Sequence, residues 1–190
     1  MTTRWIWPWI AILLAGCAGQ TGTLTSDYRL GDGETAVVIG RMEAMRAPAS
    51  RSVSLTDRLK GRGVLSVMQH GADGSEVPYT IKTAEEDYGS DFYVSLPPGR
   101  YRIVRWQHGD FEARLNGWFD VPPRGVVYIG TLRWNDHGRD GFLARVGRWT
   151  LHDELGEVAA RFHARFPAVE APVQRSLITS SPSTGVSASP

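Results

Sequence analysis

Apolar residues fall along this chain in three patterns. The first is a block. Residues 5–15 form an eleven-residue apolar stretch broken only by Pro8, with Arg4 ahead of it and Gly16, Gly19, Gln20 and Thr21 ending it. A helix across a bilayer takes about 20 apolar residues, so the block is too short to span. A charged start, a short apolar centre and small residues at its end predict a secretory signal over 1–16.

The second pattern is a series of short runs between Pro/Gly punctuation. Residues 35–42 hold Ala36-Val37-Val38-Ile39, a run rich in β-branched residues ended by Gly40 and Arg41, and predict a buried strand. Residues 63–70 alternate, with Val64, Ser66 and Met68 on one face and Leu65 and Val67 on the other. Gly71-Ala72-Asp73-Gly74 marks a turn, and a short strand is expected at 79–83 after Pro78. Strands follow at 92–96 and 101–106, split by Pro97-Pro98-Gly99. The prolines lack the donor a central ladder needs, and Gly99 can take the positive φ that reverses the chain. Further strands are expected at 111–115, 118–121, 126–134 and 142–151, with Pro122-Pro123-Arg124-Gly125 and Asp140-Gly141 between the later ones. Such spacing, with no alternation of strand and long helix, predicts a mainly β fold: an antiparallel β-sandwich rather than a parallel α/β sheet.

The third pattern is helical. Leu155, Val158, Ala159, Phe162 and Phe166 form one apolar stripe, Glu157 and Arg161 are four apart on the other side, and Pro167 stops the helix. Asp153 is its expected N-cap, with Glu154 at the positive end of the dipole. This C-terminal amphipathic helix is expected to cover the sandwich, with a partner-binding helix as the sharper alternative. Residues 17–33 read as a lipidated cysteine and flexible tether, with a first strand around 24–30 as the alternative. Residues 34–168 read as the sandwich with its helix. Residues 169–190, rich in Ser, Thr and Pro, are expected to be a disordered tail.

Composition narrows the function classes. One of the 21 basic residues, Arg4, lies in the leader, and the rest balance the 20 acidic ones. A balanced chain has no global field to draw it to nucleic acid. The single cysteine, Cys17, excludes cysteine chemistry elsewhere and any intramolecular disulfide, so packing must supply stability. Trp106, Trp118, Trp134 and Trp149, with six Tyr and six Phe, provide core material.

Leu14-Ala15-Gly16-Cys17 resembles the lipobox of bacterial lipoproteins; an ordinary signal peptide with an incidental cysteine is the plainer alternative. The resemblance implies a diacylglyceryl group on the Cys17 sulfur, cleavage before Cys17 and acylation, such as palmitate, of the freed amine. One acyl chain binds a membrane only marginally, and two or three make a stable anchor. Ala18 in place of an aspartate implies, by the same family's sorting behaviour, the outer membrane facing the periplasm.

A second resemblance concerns the fold. Residues 92–101, Phe-Tyr-Val-Ser-Leu-Pro-Pro-Gly-Arg-Tyr, resemble the hairpin of transthyretin-like and carboxypeptidase-regulatory-like (prealbumin-like) domains. Val127-Tyr128-Ile129-Gly130-Thr131-Leu132 resembles a strand of bacterial lipoproteins of unknown function that carry such a domain, and Asp153 and Phe166-Pro167 fit their ending. The resemblance covers about 35–168. It implies a small sandwich used for adhesion, assembly or scaffolding, with no catalytic residues to place on this chain.

The residues themselves offer little chemistry. His70, His108, His137, His152 and His163 form no metal-ligand pair by spacing; His163 falls beside the helix stripe and reads as structural. Asn135, Asp136 and Asp140 offer oxygen ligands for calcium, but their loop lacks the alternating acids and closing Glu of an EF-hand and reads as a hairpin loop. Glu85, Glu86, Asp87 and Asp91 form an acidic loop that reads as solvated rather than as a catalytic pair. No nucleophile elbow or phosphate loop occurs. The tryptophans suit sugar stacking, though their positions in or beside strands favour a core role. The expectation is therefore a non-enzymatic, cofactor-free envelope protein, held to the membrane by acyl chains on Cys17, with a binding or scaffolding role and an envelope protein as partner. A periplasmic glycan or small-ligand binder is the alternative, and a hydrolase a more distant one.

Overall fold

The computed structural model describes Leu24 and residues 28–30, 35–45, 63–83, 91–108, 111–140 and 144–180. The lipobox Leu14, Ala15 and Gly16, Cys17 itself, Glu85, Glu86, Asp87 and residues 181–190 lie outside them. Among the described residues ten strands and one helix follow in order: β1 (Ala36–Met45), β2 (Gly63–His70), β3 (Glu76–Lys82), β4 (Asp91–Leu96), β5 (Gly99–His108), β6 (Phe111–Val121), β7 (Val126–Asp140), β8 (Ala144–His152), α1 (Leu155–Arg165), β9 (Val173–Arg175) and β10 (Thr179–Ser180). The mainly β class expected from the sequence is what the chain forms.

The strands make two five-stranded sheets. Sheet I has the order β4-β1-β7-β8, with β9 also on β7; sheet II has the order β10-β6-β5-β2-β3. Sheet II is antiparallel throughout. Sheet I departs from the antiparallel expectation, because β7 runs parallel to both β1 and β9. Parallel pairing suits strands covered on both faces, and β1 is such a strand: Ala36, Val37, Val38 and Ile39 are all fully buried. Ala36 and Val38 join one core with Leu65, Tyr101, Ile103 and Phe119 of sheet II. Val37 and Ile39 join a second core with Val158, Phe162 and Phe166 of α1.

Several expected boundaries move. β3 starts before Pro78 rather than after it; β3 is an edge strand bonded only to β2, where the missing donor costs no ladder bond. β6 is one strand, not two, because Gly117 continues the ladder opposite Ile103 and leaves room for Ile178, whose Cγ2 would lie 2.6 Å from a Cβ there. β7 runs on to Asp140, so Asn135, Asp136 and Asp140 belong to a strand paired with β8 and not to a hairpin loop.

Two irregularities decide which side chains face inward. In β5, Val67 pairs with Ile103 and Ser66 with Arg105, so Val104 is an extra residue. In β7, Ile39 pairs with Tyr128 and Arg41 with Thr131, which leaves an extra residue at Ile129-Gly130, where Gly130 has φ +120°. A bulge shifts the two-residue period by one. Tyr101 and Ile103 face the core and then Trp106 does; Val127 and Ile129 face it and then Leu132 and Trp134 do. Trp106 thereby meets Trp134 and Trp149 across the sheets, with centroids 6.3 Å and 4.3 Å away. Gly130→Ala should cost about 2 kcal/mol, since any side chain is strained at that φ and the new Cβ would crowd Leu151 Cδ1. Thermal unfolding of the variant checks this; an unchanged melting temperature would show that the bulge does not depend on glycine.

The segment after the helix is not the disordered tail the composition suggests, at least to residue 180. Val169 and Ile178 are buried. β9 joins sheet I, Ser176 and Ile178 donate their backbone N–H groups to Tyr128 and Ile129 carbonyls, and β10 joins sheet II. The tether expectation changes too: Leu24 is buried, donates its N–H to the Tyr93 carbonyl at 3.1 Å, and packs with Tyr28 and Leu30 on the helix side of sheet I.

Candidate functional site

Polar side chains collect in two places among the described residues. One is the junction of α1 with sheet I. On β1 the helix-facing positions run Val37, Ile39, Arg41, Glu43, so the apolar stripe becomes charged where the helix begins. The β7 bulge puts Arg133 on the same side as Tyr128, and Glu154 and Glu157 come from the helix start. Arg133 binds Glu43 at 2.8 Å and Glu154 at 3.0 Å. Arg41 lies 3.2 Å from Glu43, 3.2 Å from Asp91, 3.4 Å from Glu157 and 3.7 Å from Glu154. Arg161 binds both oxygens of Asp91 and also Glu157.

Asp91 is the centre of this network. The sequence places it in the acidic loop, whereas in the fold it opens β4, its side chain is 3% exposed, and it also accepts from the Tyr93 hydroxyl at 3.1 Å. Hydrogen bonding to Asp91 above all raises the pKa of the Arg161 guanidinium, and hydrogen bonding to Arg161 above all holds the Glu157 carboxyl below its ordinary range. Hydrogen bonding to Glu43 raises that of Arg133. Each carboxylate here is matched by arginine, which suits an electrostatic clasp between helix and sheet more than proton transfer. The expected Glu157–Arg161 pair forms. The helix begins one residue late: Glu154 is the N-cap, while Asp153 accepts from Leu155 N at 3.4 Å and pairs with Arg175. Tyr128 fixes this start, its hydroxyl accepting from Glu154 N at 2.8 Å and donating to the His152 carbonyl.

The other place is the outer face of sheet II. Sheet I carries the helix layer, and sheet II carries no such layer among the described residues. Alternation and register place four rows on this face: Glu76, His70, Arg100 and Asp120; Pro78, Met68, Arg102, Trp118 and Thr179; Thr80, Ser66, Arg105 and Arg114; Lys82, Val64 and Gln107. Glu76 binds His70 Nε2 at 2.8 Å and Arg102 at 3.0 Å. The Trp118 ring, partly exposed, lies 4.9 Å from the Arg100 guanidinium and 4.9 Å from the His70 ring. Trp118 is thus the one tryptophan on an open face among the described residues; Trp106 is fully buried and Trp134 and Trp149 pack against the core.

The remaining sequence candidates are dispersed. Asn135 donates to Thr150 Oγ1 at 3.0 Å, while the side chains of Asp136 and Asp140 lie outside the described ones. Among the described residues no three His, Cys, Asp or Glu side chains are grouped to hold a metal. His163 is structural, its Nδ1 3.0 Å from the Val169 carbonyl. The helix junction was missed in the sequence apart from its one i,i+4 pair, although the change from Val37 and Ile39 to Arg41 and Glu43 at a two-residue period signalled it.

No protein-family model matches this chain, and no curated protein matches it. A leucine-rich repeat protein from Bacteroides thetaiotaomicron is similar in part, at 14% identity and a TM-score of 0.30, over 62% of this chain and 19% of that one. This chain therefore spans about a fifth of that protein, and a likeness at that score carries no argument about fold or function.

Proposed function

We propose that this chain is a lipid-anchored protein of the bacterial cell envelope, with a non-catalytic binding or scaffolding role at the periplasmic face of the outer membrane. The observation that carries the reading is Leu14-Ala15-Gly16-Cys17, which follows a short apolar block and holds the only cysteine. Acyl chains on Cys17 would supply the membrane contact, and Ala18 favours the outer membrane. Two sheets sharing one core are consistent with a prealbumin-like sandwich, here with a parallel β1–β7 pair in sheet I. An envelope protein is the partner class that a scaffold implies.

Labelling with palmitate in growing cells tests the anchor. The wild-type chain should take up label and float with the membrane fraction, and Cys17→Ser should do neither. Equal uptake by the two chains, or none by the wild type, rules the anchor out. A second reading, glycan binding, is favoured by Trp118, which places an indole face among cations on the open side of sheet II.

A further inference from the structure

We propose that the outer face of sheet II binds an acidic glycan, a saccharide chain bearing carboxylates; this deepens the glycan reading by assigning it a face and a ligand charge. Lys82, Arg100, Arg102, Arg105 and Arg114 hold outward positions there, against Glu76 and Asp120 among the described side chains. Among the described side chains this is a local excess of cations in a chain of otherwise balanced charge. Among the described residues, Arg102 and His70 share one carboxylate, and Arg100 faces the Trp118 ring. Lys82 and Arg114 have no acid within ion-pair distance among those residues.

Each feature selects part of the ligand. The cations select an anion, and planar guanidinium forks match carboxylates in particular. Trp118 selects a ring: the C–H face of a sugar carries partial positive charge and stacks on the negative face of an indole. Strands about 4.8 Å apart make β2, β5 and β6 wide enough to seat more than one residue of an extended polymer.

A membrane is the other anionic surface within reach, and the path of the chain disfavours it. Leu24 packs on the helix side of sheet I, seven positions after Cys17, a reach of about 25 Å at full extension. Stacked sheets are about 10 Å apart and a helix layer adds about 10 Å more. An anchor at Cys17 therefore reaches the bilayer most directly on the helix side and turns sheet II away from it. This orientation step rests on the proposed anchor; the ligand chemistry does not.

Equilibrium binding of the purified full chain to polygalacturonate tests the proposal, with neutral dextran, polyglutamate and phosphatidylglycerol vesicles as comparisons. Polygalacturonate should bind, more weakly as salt rises, and dextran should not. Trp118→Ala and Arg114→Glu should each weaken binding about tenfold, and Trp118→Ala should leave any polyglutamate binding unchanged. Absence of polygalacturonate binding overturns the proposal. So does polyglutamate binding of equal strength with indifference to Trp118→Ala, which would leave charge alone. Vesicle binding by Cys17→Ser that is lost in Arg114→Glu would assign the face to lipid instead. Palmitate labelling is read separately, so loss of the anchor and loss of the glycan site are distinguishable.

Discussion

Trp106→Ala should lower the free energy of unfolding by about 4 kcal/mol. The indole is fully buried, sits edge-on to Trp149 at 4.3 Å and stacks with Trp134 at 6.3 Å, and so ties β5 of sheet II to β7 and β8 of sheet I. Removing it opens a void lined by two rings held on paired strands, Trp134 opposite Trp149, which cannot both move in to fill it. Urea denaturation would read the loss as a lower midpoint at nearly constant slope. Trp118→Ala, on the open face, should cost no more than about 1 kcal/mol. If the two variants lose the same amount, the indole trio does not join the sheets.

Arg161→Met should cost about 3 kcal/mol. The substitution keeps an apolar stem of similar length but strips the Asp91 carboxylate of its two-pronged partner, leaving Arg41 at 3.2 Å and the Tyr93 hydroxyl at 3.1 Å. Asp91 has almost no access to water in exchange. Adding Asp91→Leu removes the stranded charge, and the double variant should regain about 2 kcal/mol relative to the sum of the single ones. A strictly additive cycle would mean that the helix is held by its apolar stripe alone and that the ion network adds nothing between them.

The fold class was legible in the sequence, because strand periods, Pro/Gly turns and one 3.6-residue stripe are local signals. Val158, Phe162 and Phe166 bury as the stripe predicts, and Gly99 and Gly125 turn the chain with positive φ where punctuation placed them. The parallel β1–β7 pairing was not legible, since nothing in Ala36-Val37-Val38-Ile39 states the direction of its neighbour. Nor were the bulges at Val104 and Gly130. A one-residue shift reverses every later side chain, so strict alternation from Ile103 would have put Trp106 in solvent. β9 and β10 escaped notice for a further reason. They pair with the backbones of β7 and β6 and bury only a few scattered apolar residues, Val173, Leu177 and Ile178, so their own composition says little. Of the polar constellations, the outward cations of β5 were readable from Arg100 and Arg102 alternating with Tyr101 and Ile103. The Asp91 network was readable only in pieces, from Arg41 and Glu43 continuing the β1 alternation and from the Glu157–Arg161 pair, because its members come from β1, β4, β7 and α1.

The segment from Val173 to Ser180 adds a strand to each sheet within eight residues, leaving sheet I at Arg175 and entering sheet II at Thr179. It is the last of the described chain to be made. A polypeptide threaded through an export channel from its N-terminus cannot complete either sheet while this stretch is still behind the channel. If the chain is exported as proposed, the closing stitch sets a natural order: passage first, then fastening of the two layers to each other on the far side.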